Sequence, residues 1–99
     1  MILEVAILNV RPNEEVAFEE AFANARPLIA ATKGFCGLEI RRCLEPKTRY
    51  LLLVSWETID DHLAGFRESS RYNKWRKLLH HFYDPHPIVE HYGETLKLV

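Results

Sequence analysis

The order of elements predicts an α+β fold, a ferredoxin-like β-α-β-β-α-β sandwich with both helices on one face of a four-stranded antiparallel sheet. Three observations carry this expectation. Strand-like apolar runs stand at 2–10, 35–44, 49–57 and 88–92. Between the first and second, and between the third and fourth, apolar residues recur every three or four positions, as on one face of a helix. The 99 residues leave room for one core, so 1–99 reads as a single domain with 95–99 as a C-terminal arm or short strand.

Residues 2–10, ILEVAILNV, are interrupted only by Glu4 and Asn9 and form the first strand. Arg11-Pro12-Asn13 breaks it. Asn13 is a suitable N-cap, and Glu14 and Glu15 then complement the dipole of a helix running to about Ala31. Phe18, Phe22, Ala25 and Ile29 form its apolar stripe, and Pro27 should kink it or split off a last short turn. Lys33-Gly34 ends it at a C-cap glycine.

In the second strand, Cys36, Leu38, Ile40 and Leu44 share a face with Arg42, while Phe35, Gly37, Glu39, Arg41 and Cys43 share the other. Glu45-Pro46-Lys47-Thr48 is a hairpin turn. The third strand, RYLLLVSWE, is apolar on both faces at its centre. Thr58 caps a second helical region, and Asp61 in place of Glu makes only a loose capping box. Ile59, Leu63 and Phe66 follow one helical face. After a break at Ser69-Ser70, Tyr72, Trp75, Leu79 and Phe82 follow another. Asp84-Pro85-His86-Pro87 is a rigid turn into the fourth strand.

Two helices cover one face of such a sheet, so its other face should alternate with polar residues. It does not. Leu3, Val5 and Ile7 oppose Ala6, Leu8 and Val10 in the first strand, and Leu51 and Leu53 oppose Leu52 and Val54 in the third. A lone subunit would expose a broad apolar patch, which predicts a homodimer packed sheet against sheet.

The composition excludes several classes. The apolar fraction is 47% and the charged fraction 27%, which argues against disorder. A formal charge of −1 supplies no footprint for nucleic acid, and Arg71, Lys74, Arg76 and Lys77 read as a solvated helix face. No apolar run approaches the ~20 residues of a membrane helix, and the N-terminus does not read as a signal peptide. Cys36 and Cys43 would lie about 23 Å apart on opposite faces of one strand. Unable to bridge, they read as free thiols of a reducing, cytoplasmic protein.

The segments ILEVAILNVRPNEEVAFEEAF, KGFCGLEIRRCLE and RYLLLVSWETIDDHLAGFRESSRYNKW resemble the antibiotic biosynthesis monooxygenase superfamily of dimeric α+β barrels. The third carries most of the likeness, with Trp-Glu at the end of a strand, a His in the following helix, then F-x-x-S-x-x-Y-x-x-W. The closing LLHHFYDPHPIVEHY looks like a small bacterial subgroup.

The resemblance implies two chemistries. Haem-degrading relatives use an Asn on the first strand, a Trp ending the third and a His on the later helix. Here Trp56 matches, but Ala6 and Arg76 occupy the other two places, and only a shifted register would recruit Asn9 or His80. Cofactor-free oxygenases of the superfamily use Asn and Trp on the third strand with Tyr and Arg on the helices. Trp56 and Arg76 match, His62 takes the Tyr place and Leu52 the Asn place.

The second set suits oxygenation of a small electron-rich aromatic or quinol-like molecule without a cofactor. His62 would be the base, Arg76 would stabilise the anion, and Trp56 would stack against the ring. Tyr72 would add a hydroxyl one turn from Arg76, with Leu52 and Ala6 against the substrate. The same residues also suit a plainer account: Trp56 and Tyr72 as core, His62 at a half-exposed boundary beside a core-facing Leu63, and Arg76 paired with Glu68 or Asp84. A dimeric module that binds a small hydrophobic ligand without catalysis is the rival function. His80, His81, His86 and His91 lack converging metal-ligand spacing and read as surface and loop residues, so no metal is expected.

Overall fold

The apolar strand β1 (Ile2–Asn9) runs through the middle of the sheet, between β3 (Arg49–Trp56) and β4 (Val89–Tyr92). In this computed structural model, which describes residues 1–98, β2 (Phe35–Arg42) completes the order β2-β3-β1-β4, antiparallel throughout. This is the predicted ferredoxin-like arrangement. The two strands that read as apolar on both faces are the central pair. The edge strands carry Glu39, Arg41, Arg42 and Glu90, charges that discourage further strand pairing.

Helices α1 (Glu15–Ala30) and α2 (Ser70–Leu79) cover one face of the sheet. Beneath them Ala6, Leu8, Val10, Leu52, Val54 and Trp56 are buried. The stripe Phe18, Phe22, Ala25 and Ile29 packs down onto this layer. Phe18 meets Tyr50, Phe82, Phe22 and Tyr83 at ring-centroid distances of 4.9 to 5.9 Å, joining α1 to β3 and to the chain beyond α2. On the opposite face Leu3, Val5, Leu51 and Leu53 are half-buried and Ile7 is 50% exposed.

Several local expectations are corrected. Asn13 does not cap α1. It takes φ 71° in a turn closed by Glu14 N–H donating to the Arg11 carbonyl, a conformation that Asn tolerates better than most residues. Pro27 does not divide α1. The carbonyl it leaves without a donor belongs to Ala23, on the exposed side where water can reach it. The helix closes at Ala31, not Gly34. Gly34, at φ 86°, is required for another reason: a Cβ there would collide with the Asp61 carboxylate.

A bulge at Cys36 breaks the predicted alternation of β2. Phe35 pairs with Trp56 and Gly37 with Ser55, so Phe35 joins Leu38 and Ile40 beneath the helices and Cys36 is displaced outward. Both cysteines are free, as expected.

Thr58 and Asp61 do form a reciprocal capping box: Thr58 N–H donates to Asp61 Oδ2 at 3.1 Å, and Asp61 N–H donates to Thr58 Oγ1 at 3.2 Å. The chain then enters a π-helical turn, Asp61–Phe66, with Arg67 N–H donating to the His62 carbonyl. The wide turn overturns the expected Ile59–Leu63–Phe66 stripe. His62 and Phe66 face inward, while Ile59 and Leu63 are exposed. Residues 95–98 form no strand, and Val99 lies outside the described residues.

Candidate functional site

Glu4 is the polar exception on the helix-facing side of β1, sharing that side with Ala6, Leu8 and Val10. The register sets it opposite Val54 on β3 and His91 on β4. Only 4% of it is exposed. The Trp56 indole Nε1–H donates to Glu4 Oε1 at 2.9 Å, and His62 Nε2 lies 3.4 Å from the same oxygen. On the far side of that ring, His62 Nδ1 is 2.8 Å from His91 Nε2. Four residues from β1, β3, the π-helical turn and β4 thus form one continuous polar chain. Its middle ring is stacked on Trp56, centroids 5.3 Å apart and planes 23° from parallel.

Burial drives the electrostatics of this chain. It lifts the Glu4 carboxyl above the usual carboxylate range, opposed by the Trp56 hydrogen bond and the charge of Arg67. It lowers His62 to about 3, and Arg67 and His91 add to the lowering. His62 is therefore a neutral ring at pH 7, and its contact with Glu4 is not an ion pair. Burial and Arg67 lower His91 as well.

Glu4 and His62 stand at one end of a cavity of about 330 Å³ between sheet and helices. Ala6, Leu8, Leu52 and Val89 line it from the sheet, Ile29 from α1, and Phe66, Tyr72 and Trp75 from the helical region that follows β3. Arg67 and Arg76 also line it, and both are exposed, which puts them at its rim. His80, Tyr83 and His86 line it too.

Five of the six residues singled out in the sequence, Ala6, Leu52, His62, Tyr72 and Arg76, therefore meet around one cavity. Ala6 and Leu52 are direct partners across β1 and β3, and the Arg76 guanidinium lies 6.0 Å from the Tyr72 ring centre. Trp56 is not among the lining residues. It is fully buried behind His62 and Glu4, so its face is turned to His62 and not to the cavity. His62 is 3% exposed rather than at a half-exposed boundary: its Nδ1 has a hydrogen-bond partner in His91 Nε2 at 2.8 Å, and its Nε2 approaches Glu4 Oε1 to 3.4 Å. Asp84 pairs with Arg11, not Arg76.

Asn9 lies on the other side of β1, where its side chain accepts from Arg49 at 3.1 Å, so the observed register keeps it away from the cavity. His80 does reach it. Among the described residues, no group of three His, Cys, Asp or Glu side chains converges as a metal site would require.

A sequence model of the family described as antibiotic biosynthesis monooxygenase matches residues 1–78. The chain belongs to this family. It is 47% identical over 95 residues to YczJ, an uncharacterized protein of Bacillus subtilis (strain 168), covering 96% of this chain and 100% of that protein. A crystal structure from Bordetella bronchiseptica that carries the family's name is 39% identical, with a TM-score of 0.90 over 96% of this chain and 97% of the other. A point mutant of SnoaB, a cofactor-independent oxygenase from Streptomyces nogalater, shares the fold at 15% identity, with a TM-score of 0.83 over 98% and 95% of the two chains.

Within this antibiotic biosynthesis monooxygenase fold, Glu4 and the nearby charge of Arg67 have no place among the sequence candidates, and the expectation of surface and loop histidines is corrected at His91, half-buried in β4 against His62, and at His80, which lines the cavity. A signal existed for Glu4, a single carboxylate on the inward parity of an otherwise apolar central strand. None existed for His91, because its partner is set by the pairing of β4 with β1 across the whole chain. His80, His86 and His91 also lie beyond the residues that the family model matches.

Proposed function

We propose that this family member is a cofactor-independent monooxygenase acting on a small electron-rich aromatic or quinol-like molecule. The observation that carries the reading is a cavity with a buried, proton-avid carboxyl group at its inner end and two arginines at its rim. An aromatic ring fits between the sheet residues Ala6 and Leu52 and the helical residues Tyr72 and Trp75. The neutral His62, with both ring nitrogens facing protein partners, is a poor base for substrate. The base in this reading is Glu4, whose Oε1 is held by Trp56, leaving Oε2 for the substrate.

For a substrate with an acidic methylene beside an aromatic ketone, the steps balance without a metal. Glu4 takes one proton from the methylene. The resulting enolate gives an electron to oxygen, and the two radicals combine as a peroxide. The peroxide takes a proton and loses water, leaving a carbonyl that holds one oxygen atom. Arg76 and Arg67 stabilise the enolate and the peroxide anion. Once substrate fills the cavity and displaces its water, these charges act more strongly than in solution. Trp56 and His62 serve as positioning residues for Glu4.

The same reading takes the chain as a homodimer through the outer face of Leu3, Val5, Ile7, Leu51 and Leu53, and as a protein of a reducing cytoplasm in keeping with its two free thiols. Oxygen uptake by chelator-treated protein with a panel of hydroquinones and anthrone-like phenols tests the catalytic claim. Uptake should persist with chelator, and Glu4→Gln should lower kcat by about 100-fold or more. Tight binding of the panel without oxygen uptake would establish the non-catalytic ligand-binding alternative. Loss of uptake on chelation would establish a metal-dependent one.

A further inference from the structure

We propose that His91 is the solvent port of a three-residue proton relay that charges and discharges Glu4. The proposal rests on the reading of Glu4 as the acid–base group, and it explains how a carboxyl group closed off from bulk water exchanges protons while substrate fills the cavity.

The geometry is a line of three groups. Glu4 Oε1 stands 3.4 Å from His62 Nε2, and His62 Nδ1 stands 2.8 Å from His91 Nε2. Glu4 and His62 are buried, while His91 on edge strand β4 is half-buried. Each imidazole has one nitrogen towards the inside of the line and one away from it, which is the requirement for passing a proton by exchange of tautomers.

Two states follow. In the first, Glu4 is ionised, His62 Nε2–H donates to it, and His91 Nε2–H donates to His62 Nδ1. In the second, a proton from water has joined His91 Nδ1. The His91 Nε2 proton has moved to His62 Nδ1, and the His62 Nε2 proton has moved to Glu4 Oε1. One proton enters at His91 and one appears on Glu4; the reverse sequence discharges it. Neither histidine carries a net charge in either state, so the buried imidazole never bears the cost of a stable cation.

The surroundings favour transfer along this line. Arg67, which lines the same cavity, disfavours a lasting positive charge on His62 and His91. Trp56 donates from β3 to the same Glu4 oxygen and stacks on His62, fixing both. Phe66 lies near-parallel to the His62 ring, 6.5 Å away. His80, His86, Tyr83 and Arg76 line the same cavity outside the series Glu4–His62–His91, whose outer link is a hydrogen bond at 2.8 Å and whose inner link is an approach of 3.4 Å.

The test uses the full chain and needs no substrate. Nitrogen NMR of labelled histidine reports the tautomer of His62, and the infrared carboxylic-acid band reports protonation of Glu4, assigned by its loss in Glu4→Gln. In the wild type the two should change together, with the same midpoint pH. His91→Gln retains a hydrogen-bonding side chain but cannot pass a proton. There His62 should hold one tautomer across the range in which Glu4 titrates, and where oxygen uptake is measurable kcat should fall about tenfold or more with KM little changed. His91→Phe, matched in size, should behave alike. A His62 tautomer in the wild type that stays fixed while Glu4 titrates would overturn the relay, as would unchanged coupling in His91→Gln. Failure of the oxygenase reading alone would leave the spectroscopic coupling intact.

Discussion

Lowering the pH from 7 to 5 should destabilise the wild-type protein more than a His62→Phe variant, by an amount that follows from the burial of one imidazole. His62 falls from an ordinary 6.5 to about 3 in the folded state, with desolvation as the largest cause. Between those values the unfolded chain binds a proton at this residue and the folded chain does not. Stability from this group is therefore complete above 6.5 and is lost as pH falls from 6.5 towards 3. The full slope is about 1.4 kcal/mol per pH unit, and allowing for partial titration near 6.5 the loss between pH 7 and 5 is roughly 2 kcal/mol.

Glu4 works in the opposite sense. Its raised value gives stability below the ordinary carboxylate range that is lost as pH rises. His62 also contacts Glu4 and His91, so the comparison is repeated on a Glu4→Gln background, where the difference between the two proteins is free of the Glu4 titration. Phenylalanine keeps the ring on Trp56, which limits repacking. The assay is urea unfolding of both proteins at pH 7, 6 and 5, at fixed ionic strength and protein concentration. Loss of equal stability by both, to within about 0.5 kcal/mol, would refute the claim that a buried neutral His62 controls the acid limb.

Other outcomes follow from the same geometry. Trp56→Phe removes the donor to a buried carboxyl oxygen and should cost about 3 kcal/mol, measured by urea unfolding, while raising the Glu4 midpoint further in the infrared titration. Gly34→Ala meets both a left-handed backbone and the Asp61 carboxylate of the capping box, and should cost about 2 kcal/mol or more; Gly93→Ala, with open space around it, should stay within about 0.5 kcal/mol. Leu53→Lys places a charge on the apolar outer face and should shift sedimentation from dimer to monomer while leaving the circular-dichroism spectrum unchanged.

The chain's own periodicities determined the element order, the buried stripe of α1, and the apolarity of both faces of β1 and β3. These are properties of neighbours in sequence: side chains alternate along a strand and recur each turn of a helix, so residue types alone reveal which face is dry. The Thr58–Asp61 cap was legible for the same reason, its two partners being three residues apart. The tertiary structure decided what depends on distant partners. Whether His62 or Leu63 turns inward was set by a π-helical turn, which carries to His91 and towards Glu4 an imidazole that local spacing would have left half-exposed. The place of Trp56, behind the cavity and not on its wall, follows from a carboxyl group 52 residues away. His91 entered the site only when β4 paired with β1, because a hydrogen bond between remote strands leaves no periodic trace in the order of amino acids.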